Sequence, residues 1–248
     1  MEEVLTILVP LYNEEECIHS LFLAMNLFLV KSTVPTRVLF VNDGSTDGSA
    51  DLIEKVCRHD HRYSFISLEK NSGLSTALKA GIDHSSTPFI GYIDADLQTV
   101  PSDFPLLMKH MYNYDLVTGY RANRKDTVVK RLSSLVANSF RQWLLHDDII
   151  DTGCPLKIMR ADVAKQMPFF KGMHRFIPDM VTLLGGTVKQ VPVHHFPRYA
   201  GKAKYNLLNR MIGPLVDALI FRWMQRNAIH YHVKKLSREI AEHGELTG

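Results

Sequence analysis

Short apolar runs alternate with longer stretches of helical spacing through the first half of the chain. Residues 4–9, 37–41, 63–68 and 89–93 are rich in Val, Ile, Leu and Phe, the pattern of strands buried on both faces of a parallel sheet. Between them, residues 14–30, 47–58 and 74–84 space their apolar positions as helices do, with Ala50, Ile53, Val56 and Cys57 forming one face of the second. Asp43-Gly44-Ser45-Thr46-Asp47 supplies turn residues and an N-cap in front of that helix. Such alternation predicts an α/β fold with a mostly parallel sheet flanked by helices.

The pattern changes after a further strand predicted at residues 116–119. Residues 126–146 read as a long amphipathic helix, 187–195 as a β-branched alternation, and 197–205 as a basic, glycine-containing loop. From residue 206 to 243 the period is helical, with Leu208, Ile212, Leu215, Leu219 and Trp223 on one stripe. Pro214 begins a helix there or kinks one, because it has no N–H to donate. The expected organisation is one domain over residues 1–205 and an amphipathic helical extension over 206–248.

Composition adds exclusions. The 248 residues are 46% hydrophobic and carry ordinary amounts of Gly and Pro, which argues against disorder or a fibrous repeat. Cys17, Cys57 and Cys154 have no metal-type spacing and leave one unpaired, as suits a reducing compartment. The start, MEEVLTILVP, is acidic where a secretory signal needs basic residues. The uncharged run from residue 17 to 30 is shorter than the roughly 17 to 25 residues of a membrane span, so no transmembrane helix is expected. Charge is more informative than its total of +3. Nine Lys and Arg between residues 198 and 238 face Asp217 alone, which makes that stretch +8 and the remainder −5.

In an open α/β sheet, ligands bind at the carboxyl ends of the strands. Four polar clusters stand at such ends: residues 10–14, 42–45, 71–73 and 94–98. Asp94 and Asp96 are the sharpest of these. Two carboxylates just beyond a buried strand are costly unless they bind something positive, and a hard divalent cation suits them. Gln98 adds a neutral oxygen. The plainer reading is that these are turn and cap residues.

VPLYNEE (9–15), VNDGSTDGS (41–49), NSGLSTALKAGI (71–82) and YIDADLQTVPSDF (92–104) together resemble family 2 glycosyltransferases of the GT-A fold. GYR (119–121), RLSSLVAN (131–138), DTGCPLK (151–157), GMHRFIP (172–178) and PRYAGKAKYN (197–206) extend the likeness to the polyprenyl-phosphate glycosyltransferases, the dolichyl-phosphate mannosyltransferase type. The resemblance implies a GT-A fold and metal-dependent, inverting transfer of a sugar from a UDP- or GDP-linked donor to a polyprenyl phosphate. It implies Mg²⁺ or Mn²⁺ on Asp94, Asp96 and Gln98, and a nucleotide site using Pro10, Tyr12, Glu14, Asn42, Asp43, Asn71 and Ala95. Asn42 stands where relatives commonly carry an acid. Arg121 and Arg131 match the pair that grips the lipid phosphate, and Arg198, Lys202 and Lys204 the basic loop over the donor diphosphate.

The chemistry agrees with this. A departing nucleoside diphosphate gathers negative charge that cations stabilise, and arginine grips phosphate in a bidentate way. A phosphate acceptor is already ionised and needs no general base, which fits the lack of a convincing base. His194 and His195 read as structural, one inward and one outward. Cys154 reads as a small buried residue, and Asp151 as either an orienter of arginine or a turn cap. The basic helix, with Trp223 among Arg222 and Arg226, is read as contacting a membrane surface in preference to core packing or an oligomer partner. The expected location is peripheral, on the cytoplasmic membrane face. Two rivals stay open: a sugar-to-sugar transferase of surface polysaccharide synthesis, which would need a base, and a silent nucleotide-sugar-binding scaffold. Nucleic acid is not an expected partner, because stacking aromatics are sparse along the basic helix.

Overall fold

The computed structural model describes residues 2–122, 141–197 and 207–229, with the side chains of 207–215 excepted. Seven strands form one sheet in the order β3-β2-β1-β4-β6-β5-β7. They are β1 (Leu5–Leu11), β2 (Thr36–Asn42), β3 (Tyr63–Ser67), β4 (Phe89–Tyr92), β5 (Leu116–Arg121), β6 (Lys157–Arg160) and β7 (Val188–Val193). The helices are α1 (Glu15–Lys31), α2 (Ser49–His59), α3 (Leu74–Asp83), α4 (Phe104–Met108), α5 (Ala161–Gln166), α6 (Ile177–Leu183) and α7 (Leu207–Asn227).

The first four strands pair in parallel as the alternating pattern predicts. β1 is the centre of this half and is buried along its whole length. β3 departs from the expectation of a fully buried strand, since it closes one edge of the sheet and its residues alternate between sheltered and open positions. Pro10 is tolerated in a central strand for a geometric reason. The Leu8 carbonyl points at β4, so Pro10 faces the same side two residues on, beyond the last β1–β4 pair of Leu8 with Tyr92. No ladder partner is left waiting for its missing N–H.

β6 is the element the pattern did not predict. It runs antiparallel between β4 and β5, pairing Tyr92 with Lys157 on one side and Thr118 with Lys157 on the other. Four residues within a motif read for chemistry carry too little periodicity to announce a strand. The expected helix at 126–146 is described only at its end, where residues 141–145 are helical. The predicted N-cap of α2 is shifted: Gly48 occupies the cap position, and Asp47 accepts the Ser49 N–H from outside the helix.

Two apolar clusters fill the two sides of the sheet. One packs α1 and α4 with Phe40, Phe104 and Ile158; the other packs α3, α5 and α6 with Leu8, Met159 and Phe176. α7 joins the second. Ala218 and Phe221 are buried, Phe221 stacks on Phe176 at 5.3 Å, and Arg175 pairs with Asp217 at 2.7 Å. The helix therefore has an inner face that the expected stripe did not name. Leu219 and Trp223 of that stripe are exposed, Met224 is half-buried against the core, and the side chains of Leu208 and Leu215 lie outside the described residues. Phe221→Ala is expected to cost about 3–5 kcal/mol in equilibrium urea unfolding, as loss of a fully buried aromatic does. A cost under about 1 kcal/mol would remove α7 from the core.

Candidate active site

The predicted site residues that lie within the described chain stand at the carboxyl ends of β1, β2, β3 and β4 and at the end of β5. The loops after β1 and β2 are laced to each other. Asn13, held at a φ of +51°, donates its backbone N–H to Ser45 Oγ at 3.0 Å and accepts the Thr46 N–H on its side-chain oxygen at 2.8 Å. The Glu14 N–H reaches Ser49 Oγ, and the Gly48 N–H reaches Glu15 Oε2. Asn13 was not among the predicted residues, yet it organises the loop that carries Tyr12 and Glu14.

Asp43 fastens the third loop. Its two carboxylate oxygens accept the N–H groups of Ser72 (2.7 Å) and Gly73 (2.8 Å) at the start of α3. Gly44 permits this close approach: its φ is +66°, and a Cβ there would sit 2.5 Å from the backbone carbon of Lys70. Asn42 is buried, with its side-chain oxygen on the Ser45 N–H and its amide nitrogen on Ser67 Oγ. Asn71 is exposed and Pro10 is buried. The three loops thus form a braced rim, along which Tyr12 and Glu14 are half-buried and Asn71 is exposed.

Asp94 and Asp96 follow β4 directly. Asp94 Oδ1 accepts the Tyr92 hydroxyl at 2.7 Å, and Asp96 Oδ1 accepts the Gln98 N–H at 3.1 Å. Leu97, between Asp96 and Gln98, takes a φ of +56°, and Ala95, between the two acids, is buried. Burial, and next the Asp96 charge, push the Asp94 carboxyl up to about 6. Tyr92, Lys157 and Arg121 oppose that rise. A half-buried carboxylate beside a buried one, their repulsion only partly offset, fits a hard cation. No group of three or more His, Cys, Asp or Glu suited to a metal occurs among the described residues, so water and phosphate oxygens would complete its shell.

Arg121 ends β5 and lies across from this acidic pair. Asp151 takes its Nε at 2.7 Å and its Nη2 at 2.8 Å, and also accepts its backbone N–H. Asp151 is therefore the orienter of an arginine. Cys154 is fully buried and its thiol is pushed up, first by burial, as a structural residue's would be. His194 is exposed and His195 half-buried, the predicted outward and inward pair. Asp103 accepts both the backbone N–H and the ring of His194, which raises its pKa. The Phe196 N–H bonds the Gln98 carbonyl, so this segment is tied to the acidic loop. Lys157, inside a motif quoted for resemblance, was given no role by the sequence. Burial only becomes visible once β6 is seen between β4 and β5. Arg131, Arg198, Lys202 and Lys204 lie outside the described residues.

The family model for glycosyl transferase family 2 matches residues 6–167. The chain belongs to this family. It is 31% identical over 235 residues to a dodecaprenyl-phosphate galacturonate synthase of Rhizobium johnstonii, covering 92% of this chain and 70% of that protein. It is 30% identical over 214 residues to an undecaprenyl-phosphate 4-deoxy-4-formamido-L-arabinose transferase of Salmonella choleraesuis, covering 86% of this chain and 65% of that one. Among solved structures, glucosyl-3-phosphoglycerate synthase from Mycobacterium tuberculosis, in complex with Mn²⁺ and UDP-glucose, superposes with a TM-score of 0.68 at 18% identity, over 89% of this chain and 79% of that one. That likeness carries the fold alone, and the fold is the expected GT-A type.

The raised Asp94 carboxyl gives a signed test. Its folded pKa lies above the free value of 3.8, so its ionisation opposes folding once pH exceeds that value. In metal-free protein at pH 8, Asp94→Asn should be about 1–3 kcal/mol more stable than the unsubstituted chain. The gap should shrink as pH falls below 6 and vanish below 3.8. Urea midpoints across that range check it, and a variant less stable at pH 8 would refute the burial cost.

Proposed function

We propose that this protein transfers a sugar from a nucleotide-sugar donor to a polyprenyl phosphate, with Mg²⁺ or Mn²⁺ and inversion at the sugar carbon. The observation that carries the reading is the meeting of opposite charges on one sheet edge: Asp94 and Asp96 after β4, and Arg121, fixed by Asp151, at the end of β5. Support comes from relatives whose names state dodecaprenyl- and undecaprenyl-phosphate products or acceptors. Further support comes from the same fold in complex with Mn²⁺ or Mg²⁺ and UDP.

In this reading the braced rim takes the nucleotide, with Tyr12, Glu14 and Asn71 nearest the open side and Pro10, Asn42 and Asp43 holding its floor. Asp94, Asp96 and Gln98 hold the cation, which when bound stabilises the charge of the departing diphosphate. Arg121 presents its guanidinium to the acceptor phosphate. Asp151 occupies the Nε and Nη2 edge, leaving Nη1 for the ligand. The acceptor oxygen is ionised at neutral pH and attacks without a base. Arg131 is assigned to the same phosphate, and Arg198, Lys202 and Lys204 to the donor diphosphate. Residues 1–205 form the catalytic domain and 206–248 the extension. No helix among the described residues is long and apolar enough to cross a membrane. The outer side of α7 instead meets Trp143 in a groove of about 430 Å³ lined by Leu219, Trp223, Arg222 and Arg226. Exposed tryptophan beside arginine suits a peripheral contact with lipid headgroups at the cytoplasmic face.

One observation favours a second reading. His194, oriented by Asp103, could deprotonate a sugar hydroxyl. A panel of radiolabelled UDP- and GDP-sugars with undecaprenyl phosphate and Mn²⁺ separates the two. Label in the organic phase is expected, with turnover reduced by about 10²-fold or more in Asp96→Ala. Label confined to an aqueous oligosaccharide would overturn the lipid-phosphate reading, and undiminished turnover in Asp96→Ala the metal assignment.

A further inference from the structure

Lys157 is a fully buried lysine to which the proposed transfer gives no task, and it lies 1% exposed at the junction of the acidic and basic halves of the site. Its backbone stands between Tyr92 of β4 and Thr118 of β5. Its ammonium donates to the carbonyls of Thr152, at 3.3 Å, and Cys154, and lies 6.0 Å from the centre of the Tyr92 ring. An ammonium has three N–H donors and no acceptor; two of them go to these carbonyls, and the Tyr92 ring lies at the outer limit of cation–π range. Asp94 and Asp151 add attraction at longer range.

Both carbonyls belong to one turn, Asp151-Thr152-Gly153-Cys154. The same turn presents the carboxylate that grips Arg121 at two points. It passes close to that guanidinium, for a Cβ on Gly153 would stand 3.3 Å from Arg121 Nη2. Drawing in the carbonyls of residues 152 and 154 therefore sets where Asp151 stands, and Asp151 sets the plane of Arg121. An apolar side chain in place of Lys157 leaves two carbonyls without this donor and releases the turn.

We propose that Lys157 is a positioning residue: it pins the 151–154 turn so that Asp151 holds Arg121 in place for the acceptor phosphate. The proposal rests on the assignment of Arg121 to that phosphate. Lys157 itself touches no substrate.

Two measurements test it, one of which needs no substrate. The Arg121 Nε–H, assigned in ¹H–¹⁵N spectra by its loss in Arg121→Lys, is bonded to Asp151 and should exchange slowly with water. In Lys157→Met its exchange should quicken by about tenfold or more, with the acceptor KM rising by about tenfold and the donor KM unchanged within about twofold. Lys157→Arg, whose guanidinium can donate to the same carbonyls, should recover part of both losses. A merely structural lysine would lower the melting temperature and kcat while leaving both KM values and the Arg121 exchange alone, and that pattern overturns the proposal. Should Lys157→Met not fold, Lys157→Gln gives the comparison in weaker form: its amide stops short of these carbonyls, so the faster exchange and the raised acceptor KM should both appear but stay below about tenfold, and their absence overturns the proposal. If the unsubstituted protein transfers nothing to undecaprenyl phosphate, the functional reading fails by itself. The exchange measurement then decides alone: faster Arg121 exchange in the variant supports the pinning role, and unchanged exchange refutes it.

Discussion

Like charges held close together at the edge of a buried sheet are the constraint around which this structure is arranged. Asp94 and Asp96 cannot both be taken out of water beside each other without compensation. The fold supplies it from several directions: the Tyr92 hydroxyl on Asp94, the Gln98 N–H on Asp96, and the positive charges of Lys157 and Arg121 nearby. The compensation is incomplete, as the raised Asp94 carboxyl shows. A site that stays short of positive charge suits the cation proposed for it, and the shortfall falls on the stability of the folded protein.

That arrangement depends on β6. Inserting one antiparallel strand between β4 and β5 places Lys157 next to Tyr92 and Thr118 at once. It also returns the chain so that the 151–154 turn meets the end of β5, where Asp151 finds Arg121. One short strand thereby joins the acidic and basic sides of the site. On the other side, Asn13 and Asp43 do a comparable task with backbone amides, fastening three loops into a rim without side-chain charge of opposite sign.

α7 shows how one helix can serve two demands. Its inner face, with Ala218, Phe221 and the Asp217–Arg175 pair, belongs to the core. Its outer face keeps Leu219 and Trp223 exposed among arginines. Of the nine basic residues in the +8 stretch, Arg210, Arg222 and Arg226 lie on this helix, an element anchored to the body. A helix with opposite faces leaves room for core packing on one side and for the proposed surface contact on the other.

Much of this was legible in the chain. The parallel half of the sheet follows from runs of apolar residues with a short period, because strands buried on both faces need nothing else. The strand-end clusters followed too, since polar residues after such runs have one place to go. Asp94 and Asp96 stand out by type and position, Arg121 by the resemblance that GYR carries, and residues 6–167 match the family model. Other features needed the tertiary structure. β6 is four residues long, and its antiparallel placement is decided by pairing with strands more than 35 residues away in sequence. Asp151 had two equal roles until Arg121 was found beside it. Phe221 lay off the expected apolar stripe, and only the position of Phe176 selects the face on which it is buried. Lys157 was a charge in a motif until two neighbouring strands enclosed it. Periodicity and residue type record what each segment tends to do alone. Which buried charges share a site is set by long-range pairing, and that is written in no local stretch of the sequence.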